Sequence, residues 1–156
     1  MKRTIFVLVG SLALASCLST EFRQHFDAGW SACDAGDFNT GIRELEAAVV
    51  IDPTVSSLAW HKLSYCYSRV GRGNDAWIAI RKAAILNPIS SERRQAFYAV
   101  WNEIKQHGIS VGETTEQVRS RLGDPDVVAR GQRNELWTYG LVSLEFQNEK
   151  LSAIKE

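Results

Sequence analysis

The amino-acid sequence predicts an α+β fold in which two helical hairpins and a capping helix precede a small helix and an antiparallel sheet of three or four strands. Two observations predict this order. Residues 22–90 contain a repeat whose copies end at Pro53 and Pro88, 35 residues apart. After residue 109 the alanine-rich pattern gives way to short apolar runs, and every second residue from Val142 to Phe146 is apolar. We therefore expect the helical part first and the sheet last.

The first residues have the layout of a signal peptide. Lys2 and Arg3 are cationic, residues 5–14 form an apolar run, and the small residues 15–16 stand before Cys17. The apolar run is shorter than the roughly 20 residues that a transmembrane helix needs. An exported protein is therefore expected, and an ordinary secretory signal followed by a chance cysteine is the alternative to a lipid anchor.

The four residues that end at Cys17, Leu-Ala-Ser-Cys, resemble the bacterial lipobox. The resemblance implies that residues 1–16 are removed and that Cys17 becomes a lipidated N-terminus, which attaches the protein to a membrane. Residues 17–21 would then be the lipidated end and a short spacer, with the first repeat helix beginning at Glu21. Acyl chains contribute about 0.8 kcal/mol per buried methylene, so two or three of them anchor a protein durably.

The residue after the cysteine indicates whether the protein lies in the inner or the outer membrane. In enterobacterial lipoproteins an aspartate at that position favours retention in the inner membrane, and this chain has Leu18 there. By that resemblance Leu18 favours the outer membrane, and we expect the protein on its periplasmic face.

The formal charge of the mature chain argues against nucleic acid as a partner. Without Lys2 and Arg3 the chain has 16 basic residues in place of 18, against 18 acidic ones, so its formal charge is near −2. No basic patch is expected to recruit nucleic acid.

A bridge between Cys33 and Cys66 is conceivable but not favoured, because packed helix axes lie about 8–10 Å apart and a disulfide needs Cα atoms within about 7 Å.

The repeat places helices and turns in equivalent positions. Residues 36–38 match residues 71–73 as the turn between two helices, and small residues such as Gly29 and Gly41 let the paired helices approach. The spacing resembles the tetratricopeptide repeat, about 34 residues of helix, turn and helix. Two copies are fewer than the three or so that usually stack stably, so a cap over the open end is expected.

The resemblance to this repeat implies a concave groove lined by the first helix of each pair. The matching positions are Phe26, Trp30, Cys33, Asp34, His61, Tyr65, Ser68 and Arg69. From these the sequence predicts partner binding by Phe26, Trp30, Asp34, His61, Tyr65 and Arg69, because rigid aromatic anchors with a few polar groups are typical of binding surfaces. The alternative is that Trp30 and Tyr65 are covered by the chain's own termini or capping helix.

Residues 91–108 are predicted to form that capping helix. Phe97, Val100, Trp101 and Ile104 follow helical spacing and form an apolar stripe, and Gly108 ends the helix. Glu92, Arg93 and Arg94 are expected on its solvated face.

The last third of the chain follows a different pattern. Thr114 and Gln117 have the spacing of a capping box, and Gly123 and Pro125 end the helix that follows. Asp124 and Asp126, which flank Pro125, indicate a turn. The predicted strands are Val127–Ala129, Leu136–Tyr139, Val142–Phe146 and Leu151–Ile154.

The phrase from Ile109 to Pro125, followed by Trp137-x-Tyr139 and later by Leu151, resembles the SmpA/OmlA-type domain over residues 109–156. That family includes the small lipoprotein subunit of the outer-membrane β-barrel assembly machinery, and it implies a helical segment packed on a small antiparallel sheet. Glu113 stands where a hydrophobic residue is usual. Trp137 and Tyr139 are expected in the core of the sheet, with a partner-binding face as the alternative.

No catalytic, cofactor-binding or metal-binding site is predicted. His25, His61 and His107 are scattered and have no metal-ligand spacing. We therefore expect a lipid-anchored envelope scaffold or adaptor that binds envelope proteins or peptides through the repeat groove or the C-terminal sheet. The alternatives are a structural accessory subunit that acts through the sheet and, by analogy of fold alone, a protein inhibitor module.

Overall fold

A computed structural model describes residues 10–52, 56–106 and 108–156, with side chains described from Thr20 onward. The helices are α1 Gly10–Asp34, α2 Phe38–Ile51, α3 Ser57–Arg69, α4 Gly73–Leu86, α5 Ser91–Gln106 and α6 Thr115–Leu122; the strands are β1 Val127–Arg130, β2 Asn134–Tyr139, β3 Val142–Gln147 and β4 Lys150–Lys155. The predicted α+β fold, with helical hairpins, a capping helix and a C-terminal four-stranded antiparallel sheet, is confirmed. Pro53, His107 and the residues before Gly10 lie outside the described residues, as does the Cys17 side chain.

The two hairpins turn at equivalent glycines. Gly36 joins α1 to α2 and Gly71 joins α3 to α4, with φ angles of 83° and 76°. This left-handed conformation suits glycine, which has no Cβ to clash with the backbone. At Gly29, which faces α2, an added Cβ would lie 2.8 Å from Cγ of Leu45. Small residues therefore set the close approach of paired helices, as expected from the sequence.

The first helix starts earlier than expected. α1 begins at Gly10 rather than at Glu21, so residues 17–21 are helical and do not form an extended spacer. The reason is local, because the residues after Gly10 are mainly leucine, alanine and serine and include no proline that would interrupt a helix.

A disulfide joins Cys33 of α1 to Cys66 of α3, with the two Cα atoms 6.2 Å apart. The expectation against this bond was wrong because the distance between packed helix axes is larger than the distance between Cα atoms that face each other. Cα atoms lie about 2.3 Å from a helix axis, so facing residues are closer together than the axes are. Cys33 is also buried, so it belongs to the helix interface and not to the lining of a groove.

The buried apolar side chains form two clusters. The smaller cluster contains residues of α1, α2 and α3 and part of α4, and it surrounds Leu45 and Leu63. The larger cluster joins α4 and α5 to α6 and the sheet. In the larger cluster the ring of Trp77 lies 5.5 Å from that of Phe97 and 6.0 Å from that of Trp101, measured between centroids. The sheet therefore packs directly on the last helices of the hairpin region.

The sheet is a meander in the order β1-β2-β3-β4. The prediction of strands with one buried face is confirmed, since Val142, Leu144 and Phe146 alternate with more exposed residues along β3. Trp137 and Tyr139 are 1% and 0% exposed, which confirms their expected place in the core. The capping box is present as predicted: the Thr114 hydroxyl accepts from the Gln117 amide, and the Gln117 side chain accepts from the Thr114 amide.

One expectation for α5 was wrong. Glu92 and Arg94 are exposed, but Arg93 is only 9% exposed. Arg93, Phe97 and Trp101 are spaced four residues apart, so they share the face of α5 that packs against the rest of the protein. The four-residue spacing of these side chains is a sequence signal for one shared helix face, even though a charged residue usually lies in solvent.

Arg81 of α4 is buried and connects the helices to the sheet. Its guanidinium donates from Nε and Nη2 to the Asp126 carboxylate, at 3.0 and 2.5 Å. It also donates to the carbonyl oxygens of Leu122 and Asp124, at 3.2 and 3.0 Å. Asp126 in turn accepts from the amide of Gly140 at 2.7 Å. The turn expected around Pro125 is therefore held by a residue more than 40 positions earlier in the chain.

Replacing both Cys33 and Cys66 by alanine should lower the free energy of unfolding by about 3 to 4 kcal/mol, because the bond closes a loop across a sequence separation of 33 residues in the unfolded chain. Urea denaturation, followed by circular dichroism, measures the change. A reducing agent should shift the wild-type midpoint toward that of the variant and leave the variant unaffected. An unchanged wild-type midpoint under reduction would show that the disulfide does not form.

Asp126→Asn should destabilise the protein by about 3 kcal/mol, because it leaves the buried Arg81 cation without its counter-charge. Asp124→Asn is the matched control: the Asp124 side chain is 88% exposed and forms a surface ion pair with Arg119. Its effect should stay within about 0.5 kcal/mol. Equal effects of the two variants on the denaturation midpoint would contradict the role assigned to Arg81.

Candidate functional site

A continuous line of side chains from the first three helices lies on the surface of the hairpin region, and we call it the aromatic strip. Its members are Phe22, Phe26, Trp30 and Asp34 of α1, Phe38 of α2, and Lys62, Tyr65 and Arg69 of α3. Successive contacts link all eight members, with Lys62 joining the α1 side to Tyr65, so the strip is continuous.

The α1 part of the strip is a ladder of three rings. The ring centroids of Phe22 and Phe26 are 5.8 Å apart, and those of Phe26 and Trp30 are 5.6 Å apart. Residues four apart lie on one face of a helix, so this spacing stacks the rings along the helix axis. All three are half-buried and keep part of their surface accessible.

Lys62 connects the α1 ladder to α3. Its ammonium group lies 4.3 Å from the ring centroid of Trp30 and 5.4 Å from that of Tyr65, and it forms an ion pair with Asp34. The Lys62 side chain is only 12% exposed, which is low for a lysine. An ammonium held over aromatic faces contributes about 0.5 to 2 kcal/mol. Lys62 therefore fixes the spacing between the two halves of the strip.

Tyr65 is the most accessible ring of the α3 half, with 44% of its surface exposed. Its ring packs edge-on against Phe38 at 6.1 Å, and the Arg69 guanidinium lies 5.4 Å from the Phe38 ring. The suggestion that Tyr65 is covered by the chain's own capping helix is therefore not what the structure shows: α5 packs on α4 and the sheet.

Polar contacts beside the strip hold its helices together. Nδ1 of His25 on α1 lies 2.8 Å from a carboxylate oxygen of Glu44 on α2. This hydrogen bond has the largest effect on the Glu44 carboxyl group, and together with a hydrogen bond from Arg43 it lowers the pKa of that group. The Tyr67 hydroxyl of α3 donates to Glu46 of α2 at 2.5 Å. With the Cys33–Cys66 disulfide, these contacts set the positions of α1, α2 and α3 before any partner binds.

The structure brings together five of the six residues predicted to bind a partner: Phe26, Trp30, Asp34, Tyr65 and Arg69. His61 is half-buried beside the first turn of α5. Burial lowers the pKa of His61, and the positive charge of Arg93 lowers it further. The imidazole is therefore harder to protonate than a free histidine, and its electrostatic neighbours include the charged first turn of α5.

Sequence reasoning missed three members of the strip. Phe22 stands four residues before Phe26, and this spacing was a usable signal. Phe38 follows the hairpin turn, where the sequence carries no sign that its ring reaches α3. Lys62 had no signal either, because a lysine on an amphipathic helix is usually solvated. Its position depends on how closely α3 packs against α1.

The strip exposes aromatic faces, the Arg69 guanidinium and the Asp34 carboxylate, while the ammonium of Lys62 is largely covered. Within the described ranges, no three His, Cys, Asp or Glu side chains lie together as a metal site requires. No helix in the described part of the chain combines the length and apolar character needed to cross a membrane.

The chain matches no model of a known protein family and has no significant match among curated proteins.

Proposed function

We propose that this protein is a lipid-anchored scaffold or adaptor of the bacterial cell envelope that binds other envelope proteins through the aromatic strip. The observation that carries the proposal is the continuity of the strip, which crosses three helices and leaves 44% of Tyr65 exposed. Phe26 and Phe38 pack against the smaller cluster from one side, while the ring of Tyr65 stays accessible to a partner.

The composition of the strip fits the recognition of a peptide segment or helix of a partner protein. Aromatic side chains provide a large contact area at a low cost in conformational entropy, and they dominate the energetic centres of protein interfaces. Asp34 and Arg69 are exposed at the end of the strip that lies next to the two hairpin turns. Their charges would orient a bound partner. The disulfide reduces the reorganisation that binding requires.

The proposed location rests on the lipobox resemblance at Cys17, and the disulfide supports it. Disulfides persist in oxidising compartments such as the bacterial periplasm and are rare in the cytosol. Cleavage before Cys17 would leave that residue near the start of a shortened α1, which continues to Asp34. The lipid would therefore connect to the strip through a helix, and the leucine after the cysteine favours the outer membrane.

A role in envelope assembly rests on the resemblances to tetratricopeptide repeats and to the SmpA/OmlA-type domain. The alternative, a structural accessory subunit that acts through the sheet, is favoured by one observation. β1 is an edge strand with no outer neighbour among the described residues, and Val127 on it is 59% exposed. An open edge can pair with a strand of another chain.

Tyr65→Ala should reduce the capture of partner proteins by at least fivefold in crosslinking of intact cells, because it removes the most exposed anchor of the strip. Ile89→Ala is the matched control, since Ile89 is 90% exposed and lies outside the strip. Both variants should fold like wild type, as checked by circular dichroism and thermal melting. If Tyr65→Ala captures partners normally while Val127→Lys does not, the sheet edge is the binding surface and the proposal fails.

Cys17→Ser should release the protein from the membrane, because it removes the thiol that would carry the diacylglycerol. Fractionation of cells and mass spectrometry of the N-terminus measure this. Ser19→Ala, a change two residues after Cys17 that leaves the thiol and the disulfide intact, is the control, and it should leave the protein membrane-bound. Recovery of wild type in the soluble fraction would contradict the lipid anchor.

A further inference from the structure

A concave surface lies at one end of the sheet. The tips of the β1–β2 and β3–β4 hairpins and the first turns of α6 enclose a cavity of about 450 Å³. The cavity and the aromatic strip share no residue. Small-molecule sites usually have volumes of about 300 to 1,000 Å³, so the cavity has the size for a compact ligand.

Backbone hydrogen bonds hold the walls of this cavity in place. The amide of Thr115 on α6 donates to the carbonyl of Glu149 at 3.0 Å, and the amide of Leu151 donates to the carbonyl of Glu113 at 2.7 Å. The start of α6 is thus fixed to the β3–β4 turn. Asn148 and Glu149 in that turn have φ angles of 51° and 62°. Two-residue hairpins usually place glycine at the second of these positions, so the turn tolerates a strained residue whose side chain lines the cavity.

The lining carries more positive than negative charge, although the whole chain has a formal charge of zero. Three arginines, Arg119, Arg130 and Arg133, line the cavity together with two carboxylates, Glu135 and Glu149. The sum is a local charge of +1.

The arginines differ in how they are held. The Arg119 guanidinium lies 4.7 Å from the ring centroid of Trp137, whose ring forms part of the floor with Phe146. Arg130 donates to Glu135 at 3.1 Å. A hydrogen bond from the indole of Trp137, with a smaller effect of Arg130, lowers the pKa of Glu135 and keeps this carboxylate ionised. Arg133 has no ion pair within the described part of the chain, so its guanidinium is available to a ligand.

We propose that this cavity binds a compact oxyanion that carries two or more carboxylate or phosphate groups. The planar guanidinium group donates two parallel hydrogen bonds to such oxygens, and bonds of this kind are among the strongest in proteins. Arg133 makes the first contact. Arg119, oriented by Trp137, and Arg130, oriented by Glu135, face the same volume, and Asn148 and Thr115 supply neutral hydrogen-bonding groups. The surface pairs of Arg119 and Arg130 are weak enough to exchange for a ligand.

Isothermal titration calorimetry of the full chain in mild detergent at physiological salt tests the proposal, with citrate and pyrophosphate as probes. At least one probe should bind. Arg133→Gln should weaken the affinity for it about tenfold, which is the effect of losing one charge-assisted hydrogen-bonding group. Glu149→Gln should strengthen the affinity about threefold, because it removes a negative charge from the lining.

Arg94→Gln is the matched control, since Arg94 is an exposed arginine of α5 far from the lining residues in sequence. It should leave the affinity unchanged. Binding of neither probe would overturn the proposal, and so would a loss in Arg94→Gln as large as that in Arg133→Gln, because that would indicate non-specific attraction to surface charge. Binding of only citrate or only pyrophosphate would identify the oxyanion as a carboxylate or a phosphate.

Discussion

The buried guanidinium of Arg81 is the interaction on which the arrangement of helices and sheet depends. Removing a cation from water costs several kcal/mol unless its hydrogen-bonding groups find partners. Those partners are the Asp126 carboxylate and the carbonyl oxygens of Leu122, the last residue of α6, and Asp124. Asp124 and Asp126 lie between α6 and β1. Because the guanidinium is planar and rigid, it can donate to these oxygens in few arrangements. The geometry of one residue on α4 therefore determines where the sheet is docked.

The larger hydrophobic cluster forms around that docking. Trp77, one turn before Arg81, donates from its indole to the same Leu122 carbonyl and packs on Phe97 and Trp101 of α5. On the sheet side, the β2–β3 turn approaches α5 at Gly140, where an added Cβ would lie 2.5 Å from the Phe97 ring. The helix that the sequence suggests as a simple cap is thus a shared layer: it contacts α4 on one side and the sheet on the other. Trp60 of α3 packs against both clusters and links this core to the first hairpin.

The two proposed binding surfaces use this framework differently. Two rings of the aromatic strip, Phe26 and Phe38, pack against the smaller cluster. The Cys33–Cys66 disulfide and the largely covered Lys62 side chain fix the separation of α1 and α3 there. The oxyanion cavity belongs to the far end of the sheet, where hairpin turns and the capped start of α6 form its walls. One surface is aromatic and suited to a protein segment, and the other is polar and suited to a small ligand. Since no residue is common to both, each can be altered without direct damage to the other.

The sequence by itself determined the features that depend on neighbouring residues. The capping box at Thr114, the left-handed turn at Gly36 and the alternation along β3 each involve residues a few positions apart, so their physical causes are visible in the chain. It also indicated five members of the aromatic strip through the repeat alignment. The contact of Lys62 with Trp30, the disulfide of Cys33 and the burial of Arg81 were decided only by tertiary structure. Each of these joins residues more than 25 positions apart, and whether they meet depends on the rotation and spacing of packed helices. The charge of a side chain predicts that it is exposed to solvent, but the side chain can be buried where helix packing supplies its hydrogen-bonding and ionic partners.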